Sequence, residues 1–261
     1  MPASSEQPSS PSPRAEEATF HDIAQAQERN LILRALPRRE YALLLPHLEP
    51  CRVEALQILV DAGEPVQHVY FPATAIVSAA RRTGEEGLVE GGTIGREGMA
   101  GVAVILGETW SPAVLQGQVP GMCKRMGVSA LREMLPELDV LDSMLRRFTL
   151  TFLDQLGQSA ACNAVHSVEQ RCARWLLTTN DRVGGDEFEL THNVLSQMLG
   201  VRRASVTEVA GSFQQAGMIH YERGRVSIRQ RAGLELAACE CYGIVRSNLE
   251  RLLGPNAPKA F

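Results

Sequence analysis

Between Leu190 and Ile228 the apolar residues change their spacing twice, and this constrains the fold more than any other stretch of the chain. Val194, Leu195 and Met198 recur at helical spacing behind Thr191, a residue suited to capping a helix N-terminus. Gly200 follows where a tight turn between two crossing helices needs a residue tolerant of positive φ. A second helix is expected from about Arg203 to Ala216, its buried face formed by Val206, Val209, Ala210 and Phe213. Its opposite face centres on Ala204, Glu208 and Gly211, with Ser205, Thr207 and Ser212 on the flanks and Arg202 and Arg203 at its start. After Gly217 the pattern becomes that of strands: Met218 to Tyr221 and Val226 to Ile228, joined by a tight Gly turn at Glu222-Arg223-Gly224-Arg225.

A helix face with small side chains, one acid and arginines at its N-terminal end is an odd surface for solvent and suits a DNA major groove. Small residues permit close approach; Arg203 can donate to guanine, Glu208 can accept from a cytosine amino group, and Ala204 can touch a thymine methyl, with Ser205 beside them. Thr191, Arg202, Thr207 and the wing residues Arg223 and Arg225 are the expected contacts to the phosphate backbone. The chain's net charge of -4 excludes a protein that coats nucleic acid through bulk positive charge. Locally the balance reverses. Between Gly200 and Arg231, Arg202, Arg203, Arg223, Arg225, Arg229 and Arg231 face only Glu208 and Glu222, a balance of +4.

The remaining chain divides by texture. Residues 1–20, rich in Ser, Pro and Glu, are expected to be a disordered leader. Apolar residues at helical spacing from Ile23 to Leu48, broken by Pro37 and Pro46, predict short helices. From Cys51 to Met126, runs such as Gln57–Val60, His68–Phe71 and Ala75–Ser78 between Gly and Pro turns predict a compact all-β sandwich or roll. After Pro136 a long helix is expected, with Leu141, Leu145, Phe148, Phe152 and Leu156 in a stripe close to a heptad seam. That stripe suits either pairing with a second copy or packing on the roll. A further helix is expected from Ser167 to Thr179, with Val168, Cys172, Trp175 and Leu176 on one face. The tail from Ala232 to Leu253 reads as one amphipathic helix carrying Leu234, Ala238, Cys241, Val245 and Leu252.

Several function classes are disfavoured. No run of about 18 apolar residues and no secretory pattern is found, so a cytoplasmic location is expected. Neither HExxH, GxSxG nor a P-loop occurs, and no enzyme is expected. The six cysteines (Cys51, Cys123, Cys162, Cys172, Cys239, Cys241) show no CxxC pair and are read as reduced, buried thiols, with no metal site. None of the six histidines is read as having a partner at ligand spacing. In one helix Cys239 and Cys241 diverge by about 200°, so packing is the expected role of both.

Leu199-Gly200-Val201-Arg202-Arg203-Ala204-Ser205-Val206-Thr207, then Ala216-Gly217-Met218-Ile219 and the wing, resembles the DNA-binding domain of the Crp/Fnr family. Ala62-Gly63-Glu64, Val69-Tyr70-Phe71-Pro72 and Ile94-Gly95-Arg96-Glu97-Gly98-Met99-Ala100-Gly101 resemble successive pieces of that family's β-roll, so the likeness runs from roughly Leu31 to Ile228. The resemblance implies an α+β chain: an N-terminal double-stranded β-helix (a jelly-roll-like, cyclic-nucleotide-binding-like sensor roll), a long dimerisation helix and a C-terminal winged helix-turn-helix. The expected bounds are 21–136, 137–166 and 167–231, followed by a tail at 232–261. It also implies a homodimer that places two reading helices in successive major grooves of a palindromic site, about 34–36 Å apart, with RNA polymerase as a partner and activation or repression as output. Relatives commonly carry an acid at the position of Ala204 and an arginine at that of Glu208, so a different operator is expected.

The turn Gly95-Arg96-Glu97-Gly98 is the expected effector pocket. Family members that bind cyclic nucleotides follow such a turn with an Arg-Ser or Arg-Thr pair, whereas this chain has Glu108-Thr109-Trp110-Ser111-Pro112-Ala113. Without that cation an anionic ligand loses its principal charge-assisted hydrogen bonds, and cyclic AMP is disfavoured. An oxygen-sensing iron–sulfur cluster is disfavoured as well, because no cysteine precedes Cys51. The rival reading is a cyclic-nucleotide or small-molecule binding module acting mainly through protein contacts.

Overall fold

Short strands separated by glycine and proline turns cannot bury both faces singly, and here they stack as two antiparallel sheets. In the computed structural model, which describes residues 24–25, 27–83 and 87–253, helices α1 (Leu31–Ala35) and α2 (Arg38–Leu44) precede the first strand, and Pro37 separates them. The leader at 1–20 and the last residues of the tail lie outside the described residues. Strands β1 (Glu49–Val53), β7 (Gly121–Gly127) and β3 (His68–Pro72) form one sheet, in that order. Strands β2 (Ile58–Val60), β6 (Val114–Val119), β4 (Ile76–Arg82) and β5 (Leu88–Ile94) form the other. Phe71, Val77, Ile94, Leu115 and Met126 meet between them, sealed at one end by Tyr41, Leu44 and Leu131.

Helix α3 (Val128–Met134) leads into the long helix α4 (Asp139–Val165). Leu141, Leu145, Phe148 and Phe152 are almost wholly buried in the roll's own core, which decides between the two uses left open for this stripe. It is the face that packs on the roll. Gly98 makes the approach possible: a Cβ there would stand 2.1 Å from the Phe148 ring.

Helix α5 (Val168–Val183) starts with a capping box between Ser167 and Gln170 and ends at Gly184, φ 70°. Strand β8 (Glu187–Glu189), helices α6 (His192–Leu199) and α7 (Arg203–Gln215) and strands β9 (Ile219–Glu222) and β10 (Arg225–Ile228) complete a winged helix-turn-helix whose sheet order is β8-β10-β9. The tail, expected as one helix, is two: α8 (Arg231–Ala237) and α9 (Cys241–Leu253). Ala238 between them is extended, φ -76° and ψ 154°.

The winged domain is docked on the roll. Ile76 and Val119 of the roll share a core with Trp175, Leu176, Phe188 and Leu195. At the centre of the junction Arg182 of α5, 1% exposed, pairs with the equally buried Glu97 at 2.9 Å. Its guanidinium also donates to Gln155 Oε1 of α4 at 2.9 Å and to Thr93 Oγ1 of β5. Gly95 admits the arginine stem, since a Cβ there would lie 2.7 Å from Arg182 Cγ. Arg182→Met leaves the Glu97 carboxylate buried and unpaired, and urea unfolding should register a loss of about 3–5 kcal/mol. Adding Glu97→Gln removes the stranded charge, so the double variant should recover most of that loss.

Candidate nucleic-acid interface

Helix α7 is held by three local devices that the sequence supplies. Thr191 caps α6, its Oγ1 accepting from Val194 N–H at 3.2 Å. Gly200, φ 61° and ψ 40°, makes the turn. Val206, Ala210 and Phe213 then bury one side of α7, with Val209 partly covered. The other side stays outward: Arg202, Arg203, Ala204, Thr207, Glu208 and Gly211 are exposed, and Ser205 is half-buried on the flank. No acid stands in the first turn of α7, so its free N–H groups and the two arginines present an unopposed positive end.

The wing is a two-residue hairpin. Arg223 and Gly224 both adopt positive φ, 50° and 78°, which matches the twist of the strands they join. The Arg223 side chain, 90% exposed, has only a long contact of 3.6 Å to Glu222. Arg225 differs. It faces Glu189 in register on β8 and pairs with Glu187 at 3.0 Å and Glu189 at 3.6 Å. Arg231 is engaged too, bound to Asp181 at 2.7 Å and Glu235 at 2.9 Å. The local balance of +4 therefore overstates the patch, because acids outside that window neutralise two of its arginines. Arg202, Arg203, Arg223 and Arg229 carry the positive charge that remains.

Sequence reading missed a brace beneath α7. His192 of α6 stacks on Tyr221 of β9 with ring centroids 4.5 Å apart, and its Nδ1 lies 3.0 Å from Thr207 Oγ1. Thr207 also donates to Arg203 O at 3.0 Å, and Tyr221 OH donates to Leu190 O at 2.8 Å. Burial, with the Arg203 charge behind it, holds the His192 pKa below its usual value, so the ring is neutral where it supports α7. The alternation Glu187-Phe188-Glu189 was the available signal for the missed strand β8.

The expected effector turn lies elsewhere than the roll's cavity. Glu97 is occupied by Arg182 and by the Gly95 N–H, which donates to it at 3.0 Å; Arg96 reaches Gly184 at the end of α5; and Gly95 and Gly98 admit Arg182 and Phe148. A separate cavity of about 310 Å³ opens between the roll and α4, lined by Ala79, Ile94, Leu106, Trp110, Phe152 and Leu156 among others. Among the described residues Arg81 is the sole cation on its wall, and its guanidinium donates to the Pro112 carbonyl. Leu153 contributes to the wall while remaining 54% exposed. A second cleft, between Thr191, Arg223 and Arg225 and the roll residues Ala55, Gln118 and Pro120, shows that the wing side faces the roll.

Residues 170–237 match the Crp-like helix-turn-helix domain. In three dimensions the chain is similar to FixK2 from Bradyrhizobium japonicum, 13% identical with a TM-score of 0.60 over 74% of this chain and 98% of that one. It is similar to TTHB099, a CRP-family transcriptional regulator from Thermus thermophilus, at 17% identity and a TM-score of 0.60 over 72% and 96% of the two chains. The c-di-GMP-responsive regulator CLP of Xanthomonas campestris gives 14%, 0.57, 74% and 99% for the same quantities. These likenesses show the fold. No curated protein matches the chain. A roll, a long helix and a winged helix-turn-helix whose second helix turns one face outward define the architecture of a DNA-binding regulator of transcription. Residues 170–237 thus carry a Crp-like helix-turn-helix domain, and the chain as a whole shares its fold with the Crp/Fnr regulators to which it is similar. Among the described residues no helix is long and apolar enough to cross a membrane.

The docking surface contains one ionisable group well away from its ordinary state. Glu90 of β5 accepts from Gln118 Nε2 at 2.7 Å and faces Trp175 Nε1 at 3.5 Å. Burial lifts its pKa to about 7 against the pull of Arg174, Trp175 and Gln118. A carboxyl raised on folding contributes its stability below the unfolded value and loses it as pH rises through the folded one. The window here runs from about pH 4.5 to 7. Glu90→Gln should therefore gain stability relative to the parent between pH 5 and 8, by at most about 3 kcal/mol, in urea unfolding at both pH values.

Proposed function

We propose that the protein works as a homodimer that reads a palindromic DNA site with α7 and adjusts that reading through the roll. The observation that carries this is a second, exposed stripe on α4. Ser143, Arg146, Leu150, Leu153, Gly157, Ala160 and Ala164 recur at alternating steps of three and four and are all exposed, Leu150 at 69%. They form a seam of three heptads in which small residues let two helices approach closely. The pairing face is thus displaced from the Leu141–Leu156 stripe by about a third of a turn.

On DNA, Arg203, Ala204, Ser205 and Glu208 read base edges, while Thr191, Arg202, Thr207 and Arg223 hold the backbone. Arg225 reaches phosphate only by leaving Glu187 and Glu189, so Arg223 is the stronger wing contact. The effector site is the apolar cavity against α4. With a largely apolar wall whose arginine, Arg81, is hydrogen-bonded to the Pro112 carbonyl, the cavity suits a small, mainly apolar ligand better than a cyclic nucleotide. Its wall residues Phe152 and Leu156 flank Gln155, which holds Arg182, so a ligand there would bias the docking of the winged domain. RNA polymerase is the expected further partner of a DNA-bound dimer.

Two measurements test this reading. Footprinting and binding titrations on the chain's own promoter region should show preference for a palindromic site over random DNA at matched salt. Glu208→Ala should relax discrimination at one base pair per half-site by about 1–3 kcal/mol, whereas Arg223→Ala should weaken all sequences alike and reduce the salt slope by about 1. Leu150→Asp with Leu153→Asp should shift the protein to a monomer in sedimentation and lower affinity for the palindrome at least tenfold, with unchanged circular dichroism. A parent protein that is monomeric at micromolar concentration would sink the proposal.

A further inference from the structure

Three cysteines and a histidine with no part in reading DNA converge where the long helix ends. Cys162 and His166, at the C-terminal end of α4 and its cap, are one helical turn apart, a ligand spacing that the reading of isolated residues overlooked. Cys239 and Cys241 reach them because the tail is not one helix. The extended backbone at Ala238 ends α8, and α9 begins at Cys241, so the two side chains no longer diverge as they would on a continuous helix.

The four ligand atoms lie within 4.8 Å of one another. Cys162 Sγ is 3.5 Å from Cys239 Sγ, and Cys241 Sγ is 3.6 Å from His166 Nδ1. With Zn–S near 2.3 Å and Zn–N near 2.0–2.1 Å, the edges of a tetrahedral site are about 3.8 Å for S···S and about 3.6 Å for S···N. The Cys162–Cys239 and Cys241–His166 spacings are close to those edges, and the group as a whole, within 4.8 Å, needs only a modest contraction to close on an ion. A disulfide would require the Cys162 and Cys239 sulfurs to close to about 2.05 Å, and an iron–sulfur cluster distributes its ligands over several irons, which needs a wider cage.

The surroundings suit a metal as well. Cys162, Cys239 and Cys241 are 0%, 4% and 1% exposed and form a buried cluster of their own. The second nitrogen of His166, Nε2, lies 3.2 Å from Glu240 Oε2, an arrangement that places the proton on Nε2 and leaves the Nδ1 lone pair facing the thiols. Gln158 Nε2 donates to Cys241 Sγ at 3.0 Å.

We infer that Cys162, His166, Cys239 and Cys241 form a tetrahedral Cys₃His site for a zinc ion. Binding would release the three thiol protons to solvent and leave no open coordination position, which makes the ion structural. It staples the tail to the end of the long helix, beside the His166–Ser167 hinge that leads into the DNA-binding domain. The inference is independent of the DNA-reading roles proposed above.

Full-length protein purified without chelator should carry about one zinc ion per chain in elemental analysis. Cys239→Ser and Cys241→Ser should each lower this at least fivefold, and Cys51→Ser should leave it unchanged. Should the variants not fold, the parent still decides. Stripped of metal and titrated with Co²⁺, it should develop the visible absorption of a tetrahedral thiolate site, saturating at one equivalent. The site is refuted by a parent protein that neither retains zinc nor gives the Co²⁺ spectrum, by zinc retained in full by both folded variants, by iron with acid-labile sulfide, or by a Cys162–Cys239 disulfide in freshly isolated protein.

Discussion

A buried arginine organises the molecule. Arg182 belongs by sequence to the winged domain, yet its partners are Glu97 and Thr93 of the roll and Gln155 of the long helix, so a single guanidinium touches all three parts. Burying such a charge is tolerable only with a carboxylate opposite and further hydrogen bonds around it. The glycines of the Gly95–Gly98 turn follow from that need: one gives room for the arginine stem, the other for the Phe148 ring. A turn expected to serve an effector is a joint between domains, and the arginine satisfies its acid.

How far the fold was legible depended on whether each signal was local. Thr191, Gly200 and the Val206–Phe213 spacing specify the helix-turn-helix within a few residues, and the cap, turn and buried face all form where those residues stand. The Arg223-Gly224 turn was legible for the same reason. Long-range pairing was not. Counting charge along a window could not show that β8 lies beside β10 and sets Glu187 and Glu189 against Arg225. The long helix carries two stripes, and the larger, more apolar one dominates any hydrophobic count. It packs on the roll, and the stripe left over mixes Leu150 and Leu153 with glycine and alanines that register weakly on such a scale.

The cysteines illustrate the same limit. Cys162 and Cys239 are 77 residues apart in sequence and 3.5 Å apart at their sulfurs. What brings them together is a break in the tail that no proline or glycine announces: Ala237 and Ala238 favour continuing a helix, and the tertiary fit overrides them. The Tyr242 hydroxyl, donating to Asp181 at 2.7 Å, and Arg231, bound to the same acid, tie α8 and the start of α9 to α5. Both halves of the tail thus reach α5, and α9 then runs on along α4, where Asn248 donates to Asp154, a path that one straight rod could not take.

Leu153 stands on two surfaces at once, the wall of the cavity and the exposed seam of the long helix. On the proposed reading, in which the cavity takes a ligand and the seam pairs two copies, any influence of the one on the other is returned equally, because linkage between two equilibria is reciprocal. A compound that shifted this leucine toward the seam would favour association, and association would in turn tighten the compound's grip. Sensitivity to the signal would accordingly rise with the amount of regulator present, a dose dependence built into a single side chain.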